Sequence, residues 1–224
     1  MKLHMFPAST TSRPILLFCA EYGIEIEKIV VDLMSGEHYQ EPFASLNPGN
    51  SVPVLEDGEF VLTEGSAILK YLASLHAPEA YPEDVRQRAL INSRMDWFNT
   101  GFYKDYGYHL VYPQVLPNYK LENDVVQEEI LKLGQEKSKV WLSQLDQHLI
   151  GPDNDYVCGA TISIADFLGS GYLTLGDLIA VNLNAYPNIS RWLNRMKELP
   201  SWGDVHQALD GWAASLKGQA FTTL

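Results

Sequence analysis

Between His76 and Glu83 the chain changes its periodicity, and that change limits the folds open to it. Before the segment His76-Ala77-Pro78-Glu79-Ala80-Tyr81-Pro82-Glu83, short β-branched runs alternate with one-faced helical runs. Beyond it only helical periods occur, at roughly 83–112, 123–149, 163–179, 188–198 and 201–216. Residues 2–6 read as a strand closed by Pro7. Ser9-Thr10-Thr11-Ser12 and Pro14 then open an apolar-periodic run that stops at Gly23, the signature of a helix with polar caps and a glycine end. Ile24 to Val31 reads as a second strand, so the first thirty or so residues predict a parallel βαβ unit. Val54-Leu55-Glu56 and Phe60-Val61-Leu62 flank Asp57-Gly58, a hairpin signal, and Ile68, Leu69, Leu72 and Leu75 mark one face of a following helix. The pattern predicts an α/β domain with a small mixed four-stranded sheet over residues 1–77, a linker at 78–82, and an all-α domain over 83–224.

Charge and cysteine usage narrow the function. With 28 acidic and 16 basic residues among 224, the net charge is −12. Such a balance disfavours partners bound through phosphate, so neither nucleic acid nor an anionic membrane surface is expected. No apolar run approaches the ~18 residues of a membrane span. The start of the chain lacks the apolar stretch of a secretion signal, so a cytoplasmic location is expected. In that reducing setting Cys19 and Cys158, both in apolar surroundings, are expected as free buried thiols.

Chemistry concentrates in three places. The first is Asn47-Pro48-Gly49-Asn50-Ser51-Val52-Pro53, a turn running into a strand through an X-Pro bond that can be cis. The second is Glu64-Gly65-Ser66 at a helix start, where unpaired N–H groups and a partial positive charge suit a carboxylate. The third is the hydroxyl cluster Ser9 to Ser12 in the strand-to-helix turn. It holds no cysteine, so the chain runs no two-thiol exchange of its own there, but a hydroxyl donor and a helix N-terminus favour the thiolate of another molecule. Helix capping accounts for Thr11 or Ser12. An aromatic run follows in the helical half, with Trp97, Phe98, Phe102, Tyr103, Tyr106, Tyr108, Tyr112 and Tyr119. At helical spacing Asn99, Phe102, Tyr103 and Tyr106 share a face. Ser163 and Asp166 carry capping-box spacing and read as structural.

In order and spacing these motifs resemble the cytosolic glutathione transferases from about residue 2 to residue 205, and the strand order resembles the thioredoxin-like fold. The likeness is to bacterial members, of theta- and delta-like serine type with some beta-class features. It implies glutathione as co-substrate, no metal, a small hydrophobic electrophile as second substrate, and a homodimer. Ser9, four residues before Arg13, matches the catalytic serine of theta- and delta-like members, while Thr10 stands where beta-class members have cysteine. The likeness further implies that Ser9, His38, Asn50, Val52, Pro53, Glu64, Gly65 and Ser66 bind glutathione, with Val52 pairing like an added strand and His38 and Asn50 near the glycine carboxylate. Phe6, Asn99, Phe102, Tyr103 and Tyr106 would form the electrophile site. Gly65, Ser66 and Asn50 depart from residues common in the family, which keeps open a glutathione-binding module without catalysis. A glutathione-dependent isomerase or disulfide reductase is a further alternative.

Overall fold

A computed structural model describes all 224 residues. Strand β1 (Lys2–Met5), helix α1 (Arg13–Glu21) and strand β2 (Glu27–Val30) form the expected parallel unit, with Leu3 opposite Lys28. Gly23 ends α1 at φ 62, a left-handed conformation that glycine adopts freely. A short helix α2 (Phe43–Leu46) leads to β3 (Val54–Asp57), the hairpin strand β4 (Phe60–Leu62) and helix α3 (Gly65–His76). The sheet order is β2-β1-β3-β4, with β3 antiparallel to both neighbours.

Every later element is helical. Helix α4 (Val85–Asp96) starts at Asp84, whose carboxylate accepts from the N–H groups of Arg86 and Gln87. It continues through two π-helical stretches, Trp97–Phe102 and Lys104–Val111, into α5 (Tyr112–Val115). Helix α6 (Asp124–Gln144) is capped by Asn123, α7 (Ile164–Leu173) by the capping box of Ser163 and Asp166, and α8 (Pro187–Lys197) and α9 (Trp202–Ser215) complete the chain. The Asp166 carboxylate also accepts from the Val157 N–H and the Trp192 indole, each at 2.9 Å. No helix is long and apolar enough to cross a membrane.

The two halves share one core. A single buried cluster joins Leu3, Ile15 and Phe18 to Phe98, Phe167 and Trp192. Arg13 is fully buried in the seam, donating to the Thr174 hydroxyl at 2.8 Å and the Gly171 carbonyl at 3.0 Å. Burial lowers its pKa to about 10, so it keeps its charge at neutral pH. Gly171 lets α7 approach this closely, since a Cβ there would lie 2.5 Å from Pro14. The start of α1, which carries the hydroxyl cluster, is therefore anchored on the helical half.

Candidate functional site

The turn between β1 and α1 holds four hydroxyls, and the fold gives each a different task. Ser12 occupies the backbone cap position of α1, yet its own hydroxyl is buried without a partner. The Ser12 N–H instead donates to Ser9 Oγ at 3.2 Å. Thr11 Oγ1 donates to the Val52 carbonyl at 2.9 Å and lies 3.1 Å from Ser9 Oγ. A hydroxyl has one proton, so with that of Thr11 on Val52 the proton between the two oxygens belongs to Ser9. The order is Ser12 N–H to Ser9, Ser9 to Thr11, Thr11 to Val52. This corrects the expectation that Thr11 or Ser12 serves as a side-chain cap: α1 has no side-chain cap bond, and Ser9 Oγ takes only the N–H of Ser12 at the cap position.

Thr10 faces the other way. It is buried, and its Oγ1 accepts from the Tyr112 phenol at 2.9 Å. Tyr112 is in turn 2.6 Å from the Tyr103 hydroxyl, which donates to it because the Tyr112 proton is already used. Burial pushes Tyr112 up to about 12 and holds Tyr103 and Tyr172 well above the ordinary phenol range, so all three are neutral at pH 7. Thr10 thus ties the turn to the helical half.

Beside the turn the Val52-Pro53 bond is cis and β3 begins at the next residue. Across from it, α3 starts after Glu64, whose backbone sits at φ 66, ψ 111. Positive φ in a non-glycine residue costs free energy, and such residues cluster at functional sites. Only Asn50, Glu64 and Ala180 have it in this chain. The close approach that Gly65 permits is between parts of the protein: a Cβ there would meet the Thr11 carbonyl at 3.2 Å and Pro53 Cγ at 3.7 Å.

These elements enclose a cavity of about 420 Å³. Val52, Pro53, Glu64, Gly65 and Ser66 form one side, joined by Thr11 and Ser51. Asn99, Tyr103, Tyr108 and Tyr172 form the other. The Tyr172 phenol donates to Asn99 Oδ1 at 2.7 Å, which leaves the Asn99 amide nitrogen as the free donor. Tyr103 and Tyr172 stack with centroids 4.3 Å apart. A second cavity, about 300 Å³, lies between α4 and residues 158–163. Its one thiol, on half-buried Cys158, is pushed up to about 12 by burial and is not nucleophilic at neutral pH. Cys19 is raised likewise. No group of three or more His, Cys, Asp or Glu side chains is gathered to hold a metal ion.

Several expected residues stand elsewhere. Ser9 is half-buried beside the cavity, its Oγ 3.1 Å from that of Thr11, a lining residue. His38 is half-buried against Tyr39 with Nδ1 unpartnered, and Asn50 has its Oδ1 unpartnered; neither lines the cavity. Phe6 packs with Val31, Phe43, Val52 and Val54, supporting the wall from behind. Phe102 and Tyr106 are corrected from cavity wall to core: both are fully buried, and Tyr106 donates to the Leu173 carbonyl at 3.1 Å. The cause is the π-helical backbone. Its i→i+5 bonds widen the turn, so the face that holds Asn99 and Tyr103 continues five residues on, at Tyr108, and not at Tyr106. Tyr108, Thr11 and Ser51 carried no separable signal in the sequence, and Tyr172 arrives from α7 only through tertiary packing.

Known proteins show the same architecture. The family model for the glutathione S-transferase N-terminal domain matches residues 1–74, and that for the C-terminal domain matches residues 111–200. Glutathione S-transferase theta-2 of Rattus norvegicus is 30% identical over 200 residues, covering 88% of this chain and 80% of that protein. The Mus musculus theta-2 protein is 29% identical over 223 residues, covering 98% and 89%. Among solved structures, a delta-class glutathione transferase of Nilaparvata lugens superposes with a TM-score of 0.83 at 27% identity, covering 96% of this chain and 98% of that one.

Proposed function

Because this chain belongs to the glutathione S-transferase family, we propose that its 420 Å³ cavity holds glutathione against Val52, Pro53 and the start of α3, with a hydrophobic electrophile against the tyrosines. The activity of the family is glutathione transfer, with glutathione as co-substrate. One observation carries the finer reading: a cis-proline strand entry, an open helix N-terminus and an aromatic wall share a single space beside a hydroxyl turn.

Each part has a chemical task. The N–H groups at the start of α3 and its dipole attract a carboxylate, while Glu64 offers an acceptor for an ammonium group. The backbone at Val52 can pair with a peptide as an added strand does. A thiol of pKa ~8.5 is mostly protonated at neutral pH, and hydroxyl donors in the turn shift it toward thiolate. The thiolate then forms a C–S bond with the electrophile. In substitution the leaving group departs with its electron pair; in addition the resulting carbanion or enolate takes a proton from water. Tyr103 and Tyr172 take part as neutral phenols. Two free thiols raised to about 12 by burial disfavour a disulfide reductase working through cysteines of its own.

A homodimer and a cytoplasmic location complete the proposal. Exposed apolar side chains on the edge strand β4, Phe60 and Val61, and on α4, Val85 and Leu90, are surfaces for a second copy to cover. Retention on immobilised glutathione, followed by thiol-conjugation assays with 1-chloro-2,4-dinitrobenzene, an alkyl halide and an unsaturated carbonyl, tests the function. Binding with turnover supports it. Binding with no turnover on any electrophile reassigns the chain as a glutathione-binding module, and no binding refutes the site.

A further inference from the structure

One donor on the aromatic side of the cavity is both fixed and unspent. The Tyr172 phenol donates to Asn99 Oδ1 at 2.7 Å. Tyr172 is 3% exposed, and burial first, then the neighbouring phenols, hold its pKa well above the ordinary range, so it stays a donor at neutral pH. Its ring stacks on Tyr103 at 4.3 Å, and the Tyr103 hydroxyl is itself tied through Tyr112 to Thr10. An amide is planar, so holding its oxygen aims its nitrogen the other way. That nitrogen meets no acceptor in the protein and is not sealed from solvent. Resting on the glutathione reading above, we infer that Asn99 Nδ2 is a catalytic donor to the electrophile and that Tyr172 is the positioning residue acting through it. The electrophile is then one whose reacting carbon is conjugated to a carbonyl or nitro group.

The neighbouring phenols have spent their protons inside the protein, Tyr103 on Tyr112 and Tyr112 on Thr10. Tyr108 is 41% exposed, so solvent competes for its hydroxyl. No lysine or arginine borders the same space, so a departing halide meets no fixed cation there. An oxygen that gains charge does meet a fixed N–H. When the glutathione sulfur attacks an unsaturated carbonyl, its lone pair forms the C–S bond and the displaced π pair moves to the carbonyl oxygen. The enolate then takes a proton from water at carbon. When sulfur attacks a nitroarene, the C–S bond forms while the ring pair moves onto a nitro oxygen; that pair returns as the leaving group departs with its own. In both cases charge builds on oxygen in the transition state, where a preorganised donor lowers the barrier. A haloalkane passes through no such oxygen and gains nothing from the amide. Asn99 keeps its protons throughout.

The test uses the whole protein with Asn99→Ala, Tyr172→Phe and the pair. Each is assayed with glutathione and three electrophiles: 1-chloro-2,4-dinitrobenzene, 4-phenyl-3-buten-2-one and 1-iodohexane. Removing a preorganised donor of this kind costs roughly 100-fold, so Asn99→Ala should lower kcat with the nitroarene and the enone by about that factor. The loss should exceed that with the iodoalkane by about tenfold or more, with KM changing less than kcat. Tyr172→Phe keeps the ring against Tyr103 but frees the amide to turn. It should lower kcat with the two oxygen-bearing electrophiles about tenfold, one hydrogen bond's worth, and add nothing in the Asn99→Ala background. Glutathione affinity, read by calorimetry, should change less than turnover. Equal losses on all three electrophiles, or no loss, in a folded Asn99→Ala protein overturn the assignment. A Tyr172→Phe loss undiminished in the pair overturns the positioning role. If Asn99→Ala fails to fold by circular dichroism, Asn99→Asp, which keeps the shape, replaces it under the same criteria. Wild-type protein that does not bind glutathione, or binds it and turns over nothing, overturns the function proposed above together with this inference. Turnover of the iodoalkane alone overturns only this inference.

Discussion

Acid should weaken this fold through one buried histidine. His206 on α9 is 2% exposed, stacks on Trp202 with ring centroids 3.7 Å apart, and lies 3.0 Å from the Trp202 carbonyl through Nδ1. That contact puts its proton on Nδ1, since a carbonyl only accepts, and leaves Nε2 buried without a partner. Burial and then the Arg13 guanidinium lower its pKa from 6.5 to about 3, against a smaller raising effect of the Trp202 carbonyl, with Lys197 adding the least. The folded protein therefore refuses a proton that the unfolded chain accepts below pH 6.5. Stability is fully present above pH 6.5 and falls as pH drops toward 3, by about 1.4 kcal/mol per unit once well below 6.5. Between pH 7.5 and pH 5 this single group removes about 2 kcal/mol, a large share of a typical folding free energy. Asp166 opposes it in part. Its pKa is raised from 3.8 to about 6, so protonation in that window favours the folded state as pH falls. Urea unfolding at several pH values, comparing the wild type with His206→Phe, isolates the histidine because Asp166 is common to both. Phenylalanine keeps a ring against Trp202 and cannot titrate. The variant should lose about 2 kcal/mol less than the wild type between pH 7.5 and pH 5. Equal losses in the two proteins would refute the reasoning.

Three further outcomes follow from packing and hydrogen bonding. Asp166→Ala strands the N–H groups of Val157 and Ser163 and the Trp192 indole in the core; a loss of about 3 kcal/mol or more is expected in urea unfolding. Gly134→Ala places a Cβ 2.6 Å from the His109 backbone carbon. Backbone cannot step aside as a side chain can, so α6 must move off the π-helical segment, at about 1–3 kcal/mol and a lowered Tm in calorimetry. Tyr112→Phe removes the acceptor of Tyr103 and the donor to Thr10; about 1–3 kcal/mol should be lost, with no titrating phenol gained.

The change of period near residue 80, the βαβ and hairpin signals and the Ser163/Asp166 capping box were readable in the chain because each depends on neighbours a few residues away. The Val52-Pro53 and Glu64-Gly65 segments were readable for a related reason: X-Pro bonds and helix starts have local backbone chemistry. The aromatic wall was not. Its face follows from π-helical turns, and these accompany backbone-close packing in which Gly101 lies under the Trp141 ring and Gly134 against His109. Nothing local to Trp97–Val111 signals that partner.

The sequence alone thus determined the order of elements, the position of the strand-to-helix turn and the presence of four hydroxyls within it. Which partners those hydroxyls take was decided by contacts 41 and 102 residues away, from Thr11 to Val52 and from Tyr112 to Thr10. Propensity and capping act over a turn or two of chain, whereas the direction of a hydroxyl is set by whichever acceptor or donor the fold brings within about 3 Å.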